Sequence, residues 1–337
     1  MAHKTTLPAS FCRFKDDNMQ APFDLSTLHK QIPAMDFSRP CPLGAEAQVY
    51  AAYYGLNLSD ERPGVQHNLG YIQVLGGKVM VQTFVPAQAK GTVFVFHGYY
   101  DHVGLYVHLI KHVLDKGFAV LIYDLPGHGL STGPKAVIDD FNDYLETLTV
   151  CTQLARHHLP SPWFAIAQST GGAILMDYLL ALPDHGLESV FEQHILLAPL
   201  FQPYQWQRGR LAYYLLRWFI QHVSRGYGSN SHDAEFMDFV RHRDPLQSRQ
   251  LSVNWVGALN RWMKKMLARA PSSHHLTVIQ GTEDTTVDAK INMAFIQNKF
   301  HRPDIYYLPG ARHHLANESL AYRQKMFDII DAKLLAQ

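Results

Sequence analysis

The stretch WFAIAQSTGGAILMDYL, residues 163–179, joins an apolar run of strand length to a run of helical character, with a serine at the junction. WFAIAQ (163–168) is short and almost wholly apolar, the pattern of a strand covered on both faces. A sharp strand-to-helix turn presents such a serine at the carboxyl edge of a parallel sheet, and its strained geometry calls for small residues two positions before and after it. Here those are Ala167 and Gly171, so G-x-S-x-G becomes A-x-S-x-G and the turn must accommodate one extra Cβ. A helix N-cap serine following a buried strand would use the same spacing and is the plainer alternative.

Working outward, short apolar strands recur at FAVLIYD (118–124), HILLAPL (194–200), LTVIQG (276–281) and DIYYLP (304–309), with helical periods between them. Residues 137–156 place Val137, Ile138, Phe141, Leu145, Leu148 and Cys151 at three-to-four spacing, and Leu320 to Ile330 repeat the pattern. This alternation predicts an α/β fold, a mostly parallel central sheet with helices on both faces. Upstream, YIQVL (71–75), a turn at Gly76-Gly77 and KVMVQTFV (78–85) read as a hairpin, followed by the strand TVFVF (92–96). Residues 1–68, with Pro8, Pro22, Pro33, Pro40 and Pro42 and no sustained period, read as an arm of irregular or short elements. From Phe201 to Ser273 only helical periods stand out, such as LAYYLLRWFIQHV (211–223) and VNWVGALNRWMKKML (253–267). The expected organisation is an N-terminal arm over 1–68, a core over 69–200 and 274–337, and a helical cap inserted over 201–273.

The 337 residues suffice for a large core, and 30 Lys+Arg against 29 Asp+Glu argue against a nucleic-acid binder. With 18% charged and 47% hydrophobic residues, wholesale disorder is also excluded. The charge is segregated, however: the inserted segment holds eleven Lys/Arg against four Asp/Glu, and four of the five tryptophans. Its Trp206, Tyr213, Tyr214, Trp218 and Phe219 suit the apolar entrance of a site, or the segment's own core, because helical spacing predicts both. The positive excess suits a solvated face, or attraction to an anionic lipid surface or a phosphate head group.

Cys12, Cys41 and Cys151 form no CxxC pair and no even framework, which points to free thiols in a reducing compartment. The start has no apolar core of signal-peptide length and no run approaches 18 apolar residues. A cytoplasmic protein is expected, with peripheral membrane contact at most. Twenty histidines raise the question of a metal, but HExxH is absent, and His108 and His112 at i,i+4 read as a solvated helix face. In GHGLSTG (127–133) the glycines are one residue too widely spaced for a dinucleotide fingerprint, so neither cofactor nor metal is expected.

A serine at its free pKa is a poor nucleophile and needs a base with an orienting acid. Asp284 in GTEDTTVD (281–288) and His313 in GARHHLANE (310–318) each follow a strand. Glu283 and Asp288 compete for the acid, although Asp288 better suits the N-cap of a helix beginning near Lys290, and His314 competes for the base. The order Ser…Asp…His is that of an α/β-hydrolase rather than of chymotrypsin or subtilisin. Backbone amides at Thr170, after the serine, and at Tyr99, after the turn His97-Gly98, are placed to hold a developing oxyanion.

Taken together, HGYYDHVGLY (97–106), DLPGHGLSTG (124–133), the Ser169 turn, GTEDTTVD and GARHH resemble the monoacylglycerol lipase and lysophospholipase branch of the α/β-hydrolases, over roughly residues 70–335. The resemblance implies that the first block supplies the oxyanion loop, the second shapes its neighbour, and His313 rather than His314 is the base. It also implies a lid inserted before the acid-bearing strand. Ala167, and Gln168 where a histidine is common, depart from the pattern; His97, His102 and His128 read as loop braces. The implied activity is hydrolysis of carboxylic esters of lipids, lysophospholipid or monoacylglycerol, through Ser169, His313 and Asp284 with an acyl-enzyme intermediate. Tyr100, Trp206, Tyr213 and Trp218 are the candidate substrate contacts. The rivals are an aminopeptidase, a thioesterase, a short-chain esterase, or a non-catalytic binding protein on the same fold.

Overall fold

Strands apolar on both faces must be central, and the sheet is assembled on that rule. The computed structural model describes residues 22–182 and 188–335; Cys12 and the first 21 residues of the arm lie outside them. The elements are α1 (Leu25–Gln31), α2 (Ala45–Tyr53), α3 (Leu58–Glu61), β1 (Val65–Val74), β2 (Gly77–Pro86), β3 (Thr92–Phe96), α4 (Val107–Asp115), β4 (Ala119–Tyr123), α5 (Asn142–Ala155), β5 (Trp163–Gln168) and α6 (Thr170–Ala181). There follow β6 (Gln193–Leu197), α7 (Trp206–Leu216), β7 (His222–Ser224), α8 (Ala234–Asp238), β8 (Gln250–Ser252), α9 (Val253–Ala268), β9 (Thr277–Gly281), α10 (Ala289–Lys299), β10 (Asp304–Leu308) and α11 (Leu320–Leu334).

Eight strands form one sheet in the order β1-β2-β4-β3-β5-β6-β9-β10. The β1–β2 and β2–β4 pairings are antiparallel and the remainder parallel. Side chains alternate between two cores: Phe94 and Phe96 enter one, Val93 and Val95 the other, and Leu121 and Val120 divide likewise. The first core is closed by α5, α6, α9 and α10, the second by α4, α11 and the arm.

The described part of the arm is made of short elements, α1 to α3, one of the two forms expected, and it packs against the sheet. Leu28, Tyr50, Leu56 and Leu58 are wholly buried in the second core. Its backbone also covers the edge strand: Met35 donates to the Tyr71 carbonyl at 2.8 Å and Tyr71 to that of Pro33 at 2.9 Å, so β1 offers less unpaired backbone to solvent. That strand begins at Val65, six residues before the expected Tyr71, because the polar His67 and Asn68 are buried with partners. His67 Nε2 lies 2.9 Å from Gln82 Oε1, Asn68 Nδ2 donates to Thr83 Oγ1, and Cys41 N donates to Asn68 Oδ1.

Between β6 and β9 the chain inserts α7, α8, α9 and, against expectation, the strands β7 and β8, paired antiparallel over three residues each. His112 is likewise no solvated residue: its ring stacks on Phe327 at 3.9 Å and its Nε2 lies 2.7 Å from Asp331. No helix among the described residues is long and apolar enough to cross a membrane.

Candidate active site

Ser169 follows the last residue of β5 with φ +53° and ψ −112°, a conformation that costs a non-glycine residue about 1–3 kcal/mol. The surroundings impose it. Its N–H donates to Leu197 O at 2.9 Å, and its carbonyl accepts from Ala173 N at 3.1 Å and Leu200 N at 3.0 Å. Gly171 is obligatory here, since a Cβ would stand 2.1 Å from Phe96 O. The extra methyl of Ala167 is absorbed in the first core. Although Ser169 occupies the N-cap position of α6, its hydroxyl caps nothing: Oγ lies 3.0 Å from His313 Nε2.

His313 stands on the loop after β10 and Asp284 on the loop after β9. The two loops interlock, because Gly281 leaves room for the Ala311 and Arg312 carbonyls, 2.3 and 2.5 Å from where its Cβ would be. His313 Nδ1 lies 2.8 Å from Asp284 Oδ2. Asp284 Oδ1 accepts from Thr286 N at 2.8 Å and Val287 N at 3.1 Å, while Gln280 Nε2 donates to Oδ2 at 3.0 Å. Burial alone would raise the Asp284 pKa, but His313 and these donors outweigh it and hold the carboxyl below its ordinary value. An ionised Asp284 only accepts, so His313 donates through Nδ1 and its neutral form accepts at Nε2, the tautomer a general base for Ser169 requires. Burial, the largest influence on His313, pulls its pKa down, yet Asp284 and then Asp101 reverse the direction and leave it raised.

Gln168 anchors His313 from the other side, its Nε2 donating to the His313 carbonyl at 3.0 Å. The rivals lie elsewhere: Asp288 caps α10 through Ile291 N, Glu283 is exposed, and His314 Nε2 sits 3.2 Å from Asp101 Oδ2.

A loop after β3 approaches Ser169. Gly98 makes this possible, since its Cβ would lie 3.3 Å from that of Ser169 and 2.8 Å from Asp101 Oδ2. Among the described residues the N–H groups of Tyr99 and Thr170 have no protein acceptor. The loop is braced at both ends. Leu125 N donates to His97 Nε2 at 2.9 Å, so His97 carries its proton on Nδ1 and donates to Gly98 O at 2.8 Å; burial lowers its pKa to about 3 and keeps it neutral. His128 is lowered to about 4 by the same cause. The third histidine does more than brace its own loop: His102 Nε2 lies 2.9 Å from Asp244 of the insertion, and Asp244 also accepts from Tyr54 Oη of α2's end at 2.8 Å. Arm, loop and insertion therefore meet at one buried carboxylate.

Ser169 and His313 open into a cavity of about 610 Å³. Tyr100, Trp206 and Tyr213 line it, as do Trp255, Leu216 and Val223 of the insertion. Trp218 does not; it is 78% exposed, and Phe219 is 82% exposed, which corrects the expected role of Trp218 in the lining. Trp255 and Arg225 are lining residues that periodicity did not single out. The nearest signal for Trp255 was Ser252, the N-cap of α9, whose hydroxyl accepts from Trp255 N at 3.3 Å. Among the described residues no cluster of His, Cys, Asp and Glu could hold a metal.

A family model described as "Serine aminopeptidase, S33" matches residues 87–320. A monoglyceride lipase homolog of Monkeypox virus is 28% identical over 236 residues, 68% of this chain and 84% of that one. Human monoglyceride lipase is 30% identical over 112 residues, so the match spans 35% of that enzyme's length and 33% of this chain. Among solved structures, a soluble variant of the monoglyceride lipase of Saccharomyces cerevisiae, in complex with a substrate analog, superposes with a TM-score of 0.67 at 20% identity, covering 80% of this chain and 94% of that one. The monoacylglycerol lipase of Paleococcus ferrophilus gives 0.65 at 19% identity, covering 77% and 98%. At these identities the structures speak for a shared fold.

Proposed function

The chain belongs to the serine aminopeptidase S33 family of α/β-hydrolases, and from that premise we propose that it cleaves carboxylic esters of lipids through Ser169, His313 and Asp284. The observation that carries the reading is the continuous chain Ser169 Oγ, His313 Nε2, His313 Nδ1, Asp284 Oδ2 at the floor of a cavity walled largely by apolar side chains. Ser169 Oγ attacks the ester carbonyl while His313 Nε2 takes its proton, and the Tyr99 and Thr170 N–H groups receive the developing oxyanion. Collapse of the tetrahedral intermediate expels the alcohol, which takes the proton from His313 and leaves an acyl-serine. Water, deprotonated by the same imidazole, then releases the carboxylic acid. Asp284 holds the tautomer and balances the imidazolium.

Residues 201–273 serve in this reading as the cap over the acyl site. The exposed row Leu211, Leu215, Trp218 and Phe219, with Arg208, Arg210 and Arg217 among them, is a surface for peripheral contact with anionic lipid. Against a peptidase stands the acidic side of the cavity: Asp101 is the one carboxylate among its lining residues, and it accepts from Tyr106 Oη at 2.8 Å and Gly98 N at 3.2 Å rather than standing free for a substrate ammonium.

The test is fatty-acid release from an equimolar mixture of monoacylglycerol and lysophospholipid, resolved by mass spectrometry, with Ser169→Ala as control. Ser169-dependent release from either supports the reading. No such release, with turnover of peptides or thioesters instead, overturns it.

A further inference from the structure

Of the eleven Lys and Arg in the insertion, Arg225 alone is among the residues lining the cavity that holds Ser169. Its position is built rather than incidental. The backbone N–H, just past β7, donates to Arg249 O at 2.9 Å and extends the β7–β8 ladder. The guanidinium lies 3.9 Å from the Tyr100 ring centroid and 4.8 Å from that of Tyr227, so two aromatic faces fix its plane. Tyr100 is the residue next to Tyr99, whose N–H faces the reacting centre in the reading above. Nη1 donates to Gln247 Oε1 and Ser248 O, and among the described residues Nε and Nη2 have no protein acceptor.

The charge is not neutralised at contact distance, since among the described residues no carboxylate forms an ion pair with Arg225. The two acids that act on it from further away are committed elsewhere. Asp101 serves Tyr106, Gly98 and His314; Asp244 serves His102, Tyr54, Leu246 and the Nε2 of Gln247. A half-buried guanidinium without a carboxylate, with two donor nitrogens unused, is poised for an oxyanion that arrives with the substrate. Of the two lipid esters proposed above, monoacylglycerol and lysophospholipid, the second carries such an oxyanion, as a phosphate.

We infer that Arg225 is the specificity-determining residue for a phosphate on the polar part of the ester, so that the preferred substrate is an anionic lysophospholipid rather than a neutral monoacylglycerol. The inference rests on the lipid-ester reading above and sharpens it. It also separates the cap's charge by role: one arginine faces the substrate, and the others face solvent or the core's acids.

The test compares oleoylglycerol with oleoylglycerol 3-phosphate, which differ only in the phosphate, for wild type, Arg225→Gln and Arg225→Lys. The expected result is a wild-type kcat/KM ratio favouring the phosphorylated ester. Arg225→Gln should lower that ratio roughly 10- to 100-fold, the range of a lost pair of charge-assisted hydrogen bonds, and Arg225→Lys should fall between, keeping the charge but losing the planar fork. A merely structural arginine would slow both esters equally and leave the ratio alone, and an unchanged ratio overturns the proposal. A second measurement works even if neither ester is turned over: protection of Ser169 from a fluorophosphonate label by inorganic phosphate and by glycerol 3-phosphate. Protection of wild type and of Arg225→Lys, but not of Arg225→Gln, supports the site, and stronger protection by glycerol 3-phosphate identifies a head group rather than free phosphate. Equal behaviour of all three proteins rejects it. Absent turnover of both esters together with normal labelling rejects the lipid-ester reading separately.

Discussion

The helices α7 and α9 belong to the same insertion and carry the same kind of sequence, aromatic and basic residues at helical spacing, yet they end in opposite environments. On α9 nine residues are buried, among them Trp255 and Trp262, whereas on α7 only Trp206 is. One cation of α9 joins that packing. Lys265 of α9 lies 3.3 Å from Asp177, which also accepts from Trp262 Nε1 at 3.0 Å, and Asp177 sits on α6, the helix that starts at the Ser169 turn. Among the described residues Arg208, Arg210 and Arg217 have no carboxylate at ion-pair distance, and Arg217 instead covers the rings of Tyr213, Tyr214 and Trp218. One helix is thus part of the foundation under the Ser169 turn. The other is a surface, touching α9 mainly through Tyr213 against Gly257 and the hydrogen bond of Asn260 to Tyr214. An inserted segment need not be a unit; burial decides for each helix separately.

The largest expected effect belongs to the foundation both helices rest on. Ser169→Ala should reduce ester turnover on the order of 10⁴-fold or more without lowering the melting temperature, because it removes only the hydroxyl proposed as nucleophile; residual turnover within tenfold of wild type would reject Ser169. Next, Trp262→Ala on α9 should destabilise the protein by about 3–5 kcal/mol, from the cavity it leaves and the loss of one of the two donors to the buried Asp177 Oδ2. Its counterpart on α7, Leu215→Ser, should stay within about 0.5 kcal/mol. Equal losses in denaturant melts would erase the distinction between the two helices. On vesicles the order should reverse. Trp218→Ala with Phe219→Ala should weaken binding to anionic lipid roughly tenfold or more, as burying each ring contributes about 1.5–3 kcal/mol, while Trp262→Ala should not alter it at a temperature where it stays folded. Vesicle binding independent of anionic lipid and of salt would remove the lipid-facing role of α7 and of the turn that follows it.

The smallest effect is in the pH profile. In the proposed reaction His313 takes a proton, which only its neutral form can do, and Asp284 with Asp101 raises its pKa against burial, so kcat/KM should fall as pH drops through a value above the ordinary 6.5. Asp101→Asn should move that limb to lower pH, and an unmoved limb would remove Asp101 from the electrostatics of the base.

The convergence of Ser169, Asp284 and His313 was legible for a topological reason. In a parallel sheet, loops at the carboxyl ends of strands converge, so a serine after β5, an acid after β9 and a histidine after β10 are neighbours whatever the intervening chain does. Gly171 and Gly281 carried the close backbone approaches. The arm was not legible, because its short helices have too few turns to show a period, and the start of β1 hid behind His67 and Asn68, whose burial depends on partners in β2. The three-residue strands β7 and β8 fall below any pattern. Trp218 and Trp255 could not be told apart, since helical spacing says that a residue shares a face with others and not what that face meets.

The sequence by itself determined the alternation of strands and helices, the order of Ser169, Asp284 and His313, and the charge of the inserted segment, because each is a property of local spacing or of composition. Tertiary structure alone decided which aromatics wall the cavity, that Asp244 ties arm, loop and insertion together, and that Arg225 faces inward while Arg217 faces out. Those outcomes depend on desolvation and on partners far apart in the chain, and neither is written in any local run of residues.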